Sequence, residues 1–185
     1  MLTDLTLHVE LDNPVMAWAK AQKSPHLAMG HVGTHLDTYN KSTIPLEYFK
    51  SRGLVFDVRH TDEVQLSDID LSLIEPGDFV LFRTGQMELY KFGDKEYFTD
   101  HPQLADAVID ALLAKKIRFI GIDSPGIRRH AQHEQADRKC ETGGIYVIEN
   151  LTNLQHLPCQ AFTIYTMWLD DELMTGLKCR VLAEY

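Results

Sequence analysis

The sequence predicts a strand-rich α/β domain with few helices. Short apolar runs typical of buried strands occur at residues 79–82, 117–122 and 145–148. Only residues 100–116 show the four-residue apolar repeat of a clear helix. In sheets of this class, sites are usually built where strands end. The polar pairs after the three runs, Arg83-Thr84, Asp123-Ser124 and Glu149-Asn150, are therefore candidate site positions.

The remaining elements follow from local patterns. Residues 5–11 alternate apolar and polar side chains, which predicts a half-buried strand. Asp100 is expected to cap the helix, with Pro102 in its first turn. The polar residues 126–142 predict a surface loop or short helix, in which His130 and His133 are solvent-exposed. The other predicted strands are the apolar runs 55–58, 161–168 and 179–185.

Composition sets limits on organisation and partners. The 185 residues show no repeat or linker, so we predict one domain over residues 1–185. A net charge of −9 argues against a nucleic-acid partner. No apolar stretch approaches the roughly 20 residues of a membrane span, and no signal peptide is recognised. Three cysteines give no closed disulfide set. We therefore expect a soluble, cytoplasmic protein.

The segment His31-Val-Gly-Thr-His35-Leu-Asp37 carries the strongest chemical signal. Two imidazoles and a carboxylate form the ligand set of a divalent metal with an open coordination position. In a regular strand the two histidines would lie roughly 13 Å apart, so a bend is required, and Gly33 permits one. A polar turn whose histidines bond nearby backbone is the alternative. We predict one divalent ion, zinc or manganese, on His31, His35 and Asp37.

This segment resembles the His-x-Gly-Thr-His-x-Asp signature of the cyclase-like metal-dependent hydrolases, the group of bacterial kynurenine formamidase and isatin hydrolase. Further blocks resemble the family in order along the chain. They are Asp4-Leu5-Thr6 with Pro14, Val80 to Gly85, Gly121 to Pro125, and Ile148 to Leu151. The resemblance implies a swivelling β/β/α fold, a homodimer or larger homo-oligomer, and hydrolysis of an amide by metal-bound water.

The chain departs from the family pattern at three positions. The formamidases continue Asp-x-Pro-x-His, where this chain has Tyr39 in place of proline and Lys41 in place of histidine. A further family histidine, twelve residues before Glu149, is Asp137 here. One hypothesis is that the Lys41 ammonium replaces a second metal, with Asp37, Asp137 and Glu149 around it. The alternative is that Lys41 and Asp137 are exposed and the second site is lost.

The family chemistry assigns expected roles to four more residues. Glu149 would shuttle the proton needed by the leaving group, and Lys41 would stabilise the developing oxyanion. Met16 and Trp18 would contact an apolar or aromatic part of the substrate, or would pack in the core. Cys140 has no neighbour in the sequence that would clearly activate it as a nucleophile.

The predicted function is that of a metal-dependent hydrolase acting on a small amide. The substrate would be an N-formyl aromatic amine such as N-formylkynurenine, or a cyclic amide. The alternative is a catalytically silent member of the family that binds a metal or small ligand, a reading favoured by Lys41 in place of the formamidase histidine.

Overall fold

The chain forms ten strands and six helices in the computed structural model, which describes residues 1–185. The strands are β1 (Leu2–Asp4), β2 (His35–Asp37), β3 (Lys50–Asp57), β4 (Glu63–Val64), β5 (Phe79–Arg83), β6 (Gln103–Leu104), β7 (Phe119–Ile122), β8 (Tyr146–Glu149), β9 (Phe162–Trp168) and β10 (Gly176–Glu184). The helices are α1 (Pro14–Lys20), α2 (Pro25–Gly30), α3 (Gln86–Leu89), α4 (Lys95–Phe98), α5 (Asp106–Lys115) and α6 (His133–Thr142). None of these helices has the length and apolarity to span a bilayer.

Seven strands close into a barrel in the order β10-β2-β8-β7-β5-β3-β9, because β9 pairs again with β10. β10 is nine residues long and pairs in succession with β2 and β1 along one edge. Its other edge pairs with β9. The central strands β3, β5, β7 and β8 are parallel. This architecture confirms the predicted strand-rich α/β fold with few helices.

The period-two alternation of the strands divides the core into two layers. From β5, Phe79 and Leu81 pack in one apolar cluster with Leu36 of β2 and Ile148 of β8. Val80 and Phe82 of the same strand belong to a second cluster, which includes residues of α5 and α6. A third, smaller cluster lies against α1 and comprises Val15, Ala19, Val32, Phe92 and Tyr97.

The strand predicted over residues 5–11 is wrong, and so is the predicted start of the helix over residues 100–116. The alternating residues 5–11 leave the sheet after an isolated bridge at Thr6, because the backbone N–H of Leu7 donates to the Thr34 hydroxyl instead of to a strand. The helix predicted from Asp100 begins only at Asp106. The residues before it form β6, which pairs with β4, so tertiary pairing overrides the local signal there.

The parallel strands place their carboxyl ends at one edge of the barrel. Asp123 follows β7 and accepts hydrogen bonds from the backbone N–H groups of Thr84 and Gly85, at 2.7 and 2.9 Å. This carboxylate ties the ends of β5 and β7 together. Glu149 ends β8 at the same edge, where β2 pairs alongside it through His35.

His101 gives the first testable expectation. It lies before β6 with only 5% of its surface exposed, and burial lowers its pKa to about 4. As the pH falls, His101 takes up a proton near pH 6.5 in the unfolded chain but only near pH 4 in the folded protein. Stability therefore falls as the pH drops from about 6.5 to about 4. Between pH 7 and pH 5 this group should cost about 2 kcal/mol.

Urea unfolding of the wild-type protein and of His101→Asn at both pH values measures this effect. The wild-type protein should lose more stability on acidification than the variant. His60→Asn is the matched control, because His60 is exposed and its backbone has φ of 72°, a conformation that asparagine tolerates. If the wild-type protein and His101→Asn lose the same free energy of unfolding between pH 7 and pH 5, groups other than His101 cause that loss.

Candidate metal centre

Three side chains converge where α2 meets β2. His35 and Asp37 project to the same side of β2 because they lie two residues apart. His31 caps the end of α2, and Gly33, at φ of +76°, turns the chain back so that the imidazoles meet. The ring of His31 packs against Gly176 of β10, where a Cβ atom would lie 2.8 Å from its Nδ1. Glycine at that position therefore permits the approach.

These three side chains, His31, His35 and Asp37, form a first group in which two ring nitrogens and a carboxylate oxygen face one another. His31 Nδ1 lies 3.1 Å from His35 Nε2, and Asp37 Oδ1 lies 3.2 and 3.5 Å from these two atoms. The Nδ1–H of His35 is directed at the Gly33 carbonyl, at 2.8 Å, which leaves the Nε2 lone pair free. His31 Nε2 contacts the Thr175 hydroxyl at 2.8 Å, which leaves Nδ1 for the centre. Such outer contacts fix the orientation of metal-binding histidines.

A second group shares Asp37 with the first. His133 and Asp137 lie one turn apart on α6, and Glu149 ends β8 beside them. His133 Nε2 lies 3.3 Å from Asp137 Oδ2 and 3.4 Å from Glu149 Oε1. The other Glu149 oxygen is 3.5 Å from His35 Nε2. The two groups therefore form one continuous centre.

The carboxylates of this centre are buried without hydrogen bonds. Asp37, Asp137 and Glu149 are only 2–3% exposed. Both oxygens of Asp37 and of Asp137, and Oε1 of Glu149, have no hydrogen-bond partner. Buried carboxylates without partners are costly, and a divalent cation removes that cost. Ligands held at 2.0–2.1 Å around a tetrahedral ion lie about 3.3 Å apart. The spacing of the first group therefore fits a metal.

The pKa of Asp37 is shifted in the opposite direction from the pKa values of Asp137 and Glu149. Burial and the charge of Asp37 raise the pKa of Glu149 and of Asp137 well above their usual values. For Asp37, burial acts in the same direction, but His35 and His31 outweigh it and lower its pKa. The geometry therefore makes Asp37 the ionised carboxylate and the other two the sites that hold protons in the ion-free protein.

Lys41 lies elsewhere, so the hypothesis of a lysine-centred ion cluster is wrong. The backbone at Lys41 has φ of 59°, and its exposed side chain donates a hydrogen bond to the Met174 carbonyl. It forms no ion pair with the buried carboxylates. Its expected role in stabilising an oxyanion has no structural basis. The alternative, in which Lys41 and Asp137 are both exposed and the second site is lost, is right for Lys41 but wrong for Asp137, which is buried beside His133.

Sequence reasoning missed His133, which was expected in solvent. Its side chain is 25% exposed and burial lowers its pKa. The four-residue spacing of His133, Asp137 and Glu141 was the available signal, because it places polar groups on one helix face beside Ala136 and Cys140. That face is buried, so its histidine points into the protein.

The centre opens into a cavity of about 580 Å³, a size typical of small-molecule sites. Trp18 lines it, as expected, and its role in substrate binding stays a prediction. Met16 does not line the cavity and packs against the third apolar cluster. Residues two apart on a helix point in opposite directions, so α1 presents Trp18 to the cavity and Met16 to the core. The other walls are Pro14, Val15, Tyr39, Phe92, Gly93, Phe98, Pro125 and Asn150.

The chain is similar to one family of proteins and to several solved structures. The Cyclase family model matches residues 3–129. A solved structure described as a potential metal-dependent hydrolase with cyclase activity is 24% identical, with a TM-score of 0.78, covering 99% of this chain and 96% of its own. Isatin hydrolase A from Labrenzia aggregata, bound to benzyl benzoate, is 20% identical with a TM-score of 0.78, covering 99% and 93%.

A third similar structure, a predicted metal-dependent hydrolase from Bacillus stearothermophilus, is 23% identical with a TM-score of 0.72. It covers 99% of this chain and 97% of its own. The curated proteins contain no match. The structural likenesses extend over nearly the whole chain, so they bear on the complete barrel and not on the site segment alone.

Proposed function

The chain belongs to the Cyclase family, and from that premise we propose that it is a metal-dependent hydrolase that cleaves the amide bond of a small aromatic substrate. The observation that carries this proposal is the buried group of His31, His35 and Asp37, opening on a largely apolar cavity. The solved structures described as metal-dependent hydrolases and isatin hydrolases support it. A divalent cation, zinc or manganese, suits this donor set.

The chemistry supplied by the cation is the polarisation of a carbonyl and the acidification of a water molecule. The protein supplies orientation and proton transfer. Glu149 Oε1 is buried, free of hydrogen bonds and 3.4 Å from His133 Nε2, so it can take a proton from the attacking water. As the C–N bond breaks, the same oxygen returns a proton to the leaving nitrogen. His133 holds this carboxylate from the α6 side.

The cavity walls support an aromatic substrate. Trp18, Phe92 and Phe98 lie around the opening, and Pro14 and Pro125 complete flat apolar surfaces. Contact between these apolar side chains and an aromatic ring favours binding of the substrate, while its amide group lies at the buried polar centre. An N-formyl aromatic amine and a cyclic amide fused to a ring both satisfy this arrangement. A homodimer or larger homo-oligomer stays a prediction from the family resemblance.

A reloading experiment tests the proposed activity. Protein stripped with a chelator should be inactive, and one equivalent of Mn²⁺ or Zn²⁺ per chain should restore hydrolysis of N-formylkynurenine or isatin. One equivalent is expected to suffice because the first group alone offers three ligands in one place. A requirement for two equivalents would assign Glu149, Asp137 and His133 as ligands of a second ion. A loaded protein that binds aromatic amides without cleaving them would favour the silent ligand-binding alternative.

A further inference from the structure

We propose that Tyr39 binds the carbonyl oxygen of the substrate through its phenol hydroxyl. This inference rests on the proposed hydrolase function and fills the role that was expected of Lys41. The substrate class is an amide whose carbonyl group lies beside His31, His35 and Asp37 and is attacked there by water.

The position of Tyr39 is set by the turn that follows β2. Tyr39 lies two residues after the end of β2, in a turn in which the N–H of Lys41 donates to the Thr38 carbonyl at 3.2 Å. The start of this turn is held in place because the N–H of Thr38 donates to the Thr175 carbonyl at 2.8 Å. The ring of Tyr39 stacks on His31, with ring centroids 5.8 Å apart and planes inclined by 25°. Tyr39 thereby becomes part of the cavity wall beside the centre.

The hydroxyl of Tyr39 has no partner within the protein. Five of the seven tyrosines use their hydroxyl groups in hydrogen bonds to other residues, namely Tyr48, Tyr97, Tyr146, Tyr165 and Tyr185. Tyr90 is exposed and lies outside the cavity wall. Tyr39 is therefore the tyrosine that presents an unused donor to the cavity. Half-buried hydroxyls usually find a partner, and here a ligand would supply it.

A tyrosine hydroxyl is a hydrogen-bond donor at neutral pH. The Asn150 amide in the cavity wall is already engaged, because it donates to the Gly33 carbonyl and its oxygen accepts from Tyr97. A carbonyl group at the centre would therefore meet Tyr39 as its free neutral donor on this wall.

The hydrogen bond strengthens as the reaction proceeds. When the water oxygen adds to the carbonyl carbon, the π electron pair moves onto the carbonyl oxygen, which becomes negative. The Tyr39 proton stays on its own oxygen and stabilises that charge. The C–N bond then breaks with its electron pair on nitrogen, and nitrogen takes its proton from Glu149. Tyr39 is unchanged at the end of the cycle.

Tyr39→Phe tests the assignment because it removes only the hydroxyl. The expected result is a fall of about 100-fold in kcat/KM, mostly in kcat, as for loss of one donor to a developing oxyanion. Metal content per chain should stay that of the wild-type protein. Tyr165→Phe is the matched control, because its hydroxyl bonds Glu184 on the exposed outer surface, and its kinetics should be unchanged. Unaltered kcat/KM in Tyr39→Phe, or loss of its metal, would overturn the proposal.

Equilibrium binding of benzoate separates this proposal from the proposed function. Benzoate is a planar aromatic carboxylate, so one of its oxygens can occupy the place of the substrate oxygen without turnover. Calorimetric titration of metal-loaded protein should show about tenfold weaker benzoate binding by Tyr39→Phe than by the wild-type protein. Weakened binding in a protein that hydrolyses none of the test amides would contradict the hydrolase function and retain the Tyr39 assignment. Equal affinity of the two proteins, or no binding by either, would contradict the assignment.

Discussion

Asp37→Asn should lower kcat/KM by at least about a thousandfold, because Asp37 belongs to both groups of the metal centre. The variant keeps the size of the side chain but removes the charge that His31 and His35 stabilise. An amide also ligates a divalent cation more weakly than a carboxylate does. The measurement is steady-state hydrolysis of the best substrate, with metal content determined on the same preparations.

The matched control is Asp110→Asn on the outer surface of α5. Asp110 is 59% exposed and pairs with Lys139, so its loss should leave kcat/KM within about twofold of the wild-type value. Circular dichroism should show both variants folded. If folded Asp37→Asn retains more than a tenth of the wild-type activity, the assignment of Asp37 as a metal ligand needed for activity is contradicted.

Removal of the metal should lower the melting temperature at pH 8 by about 8–16 °C. A tightly bound ion stabilises the folded state by about 4 kcal/mol at a thousand times its dissociation constant. For a chain of 185 residues, each kcal/mol corresponds to about 2–4 °C. The ion-free protein also buries Asp37, Asp137 and Glu149 together, and the cost of burying three carboxyl groups without a cation adds to the loss.

The sign of the pH dependence follows from the raised pKa values of Asp137 and Glu149. Above about pH 4 the unfolded chain has released these protons while the ion-free folded chain still holds them. Stability of the ion-free protein therefore falls as the pH rises from that point, and the bound ion should weaken this dependence.

Asp137→Asn separates the cost of burying this carboxyl group from the loss of a ligand. This variant should raise the melting temperature of the ion-free protein at pH 8, because an amide removes the stability loss that follows from the raised pKa of Asp137. Glu134→Gln is the control on the same helix, since Glu134 is 55% exposed and pairs with Arg138. Scanning calorimetry of chelated and reloaded samples gives all of these values. Identical melting temperatures with and without metal would contradict a cation bound among these carboxylates.

The sequence predicted the first metal group because its ligands are local. His31, His35 and Asp37 lie within seven residues around Gly33, so chain geometry alone limits how they can meet. The second group depends on how α6 packs against β8: the four-residue spacing on α6 predicts a shared helix face, but not the strand that this face contacts. Lys41 shows the same limit: the sequence placed it four residues after Asp37, but its left-handed backbone turns the side chain toward Met174.

The fold shows a parallel distinction. The buried strands β5, β7 and β8 appear in the sequence as apolar runs ended by polar residues, and the structure has them within two residues of their predicted bounds. The start of α5 was misplaced because residues 103–104 pair with β4, which lies some forty residues earlier in the chain. Met16 was expected either to contact the substrate or to pack in the core, and the helical turn of α1 places it in the core.

Anomalous diffraction from crystals grown with Mn²⁺ tests the central claim most directly, because it locates the ion independently of activity. The expected result is a manganese peak within bonding distance of His31 Nδ1, His35 Nε2 and the Asp37 carboxylate. A peak confined to other residues, or none in crystals whose solution protein retains manganese, would contradict a metal centre built on these three side chains.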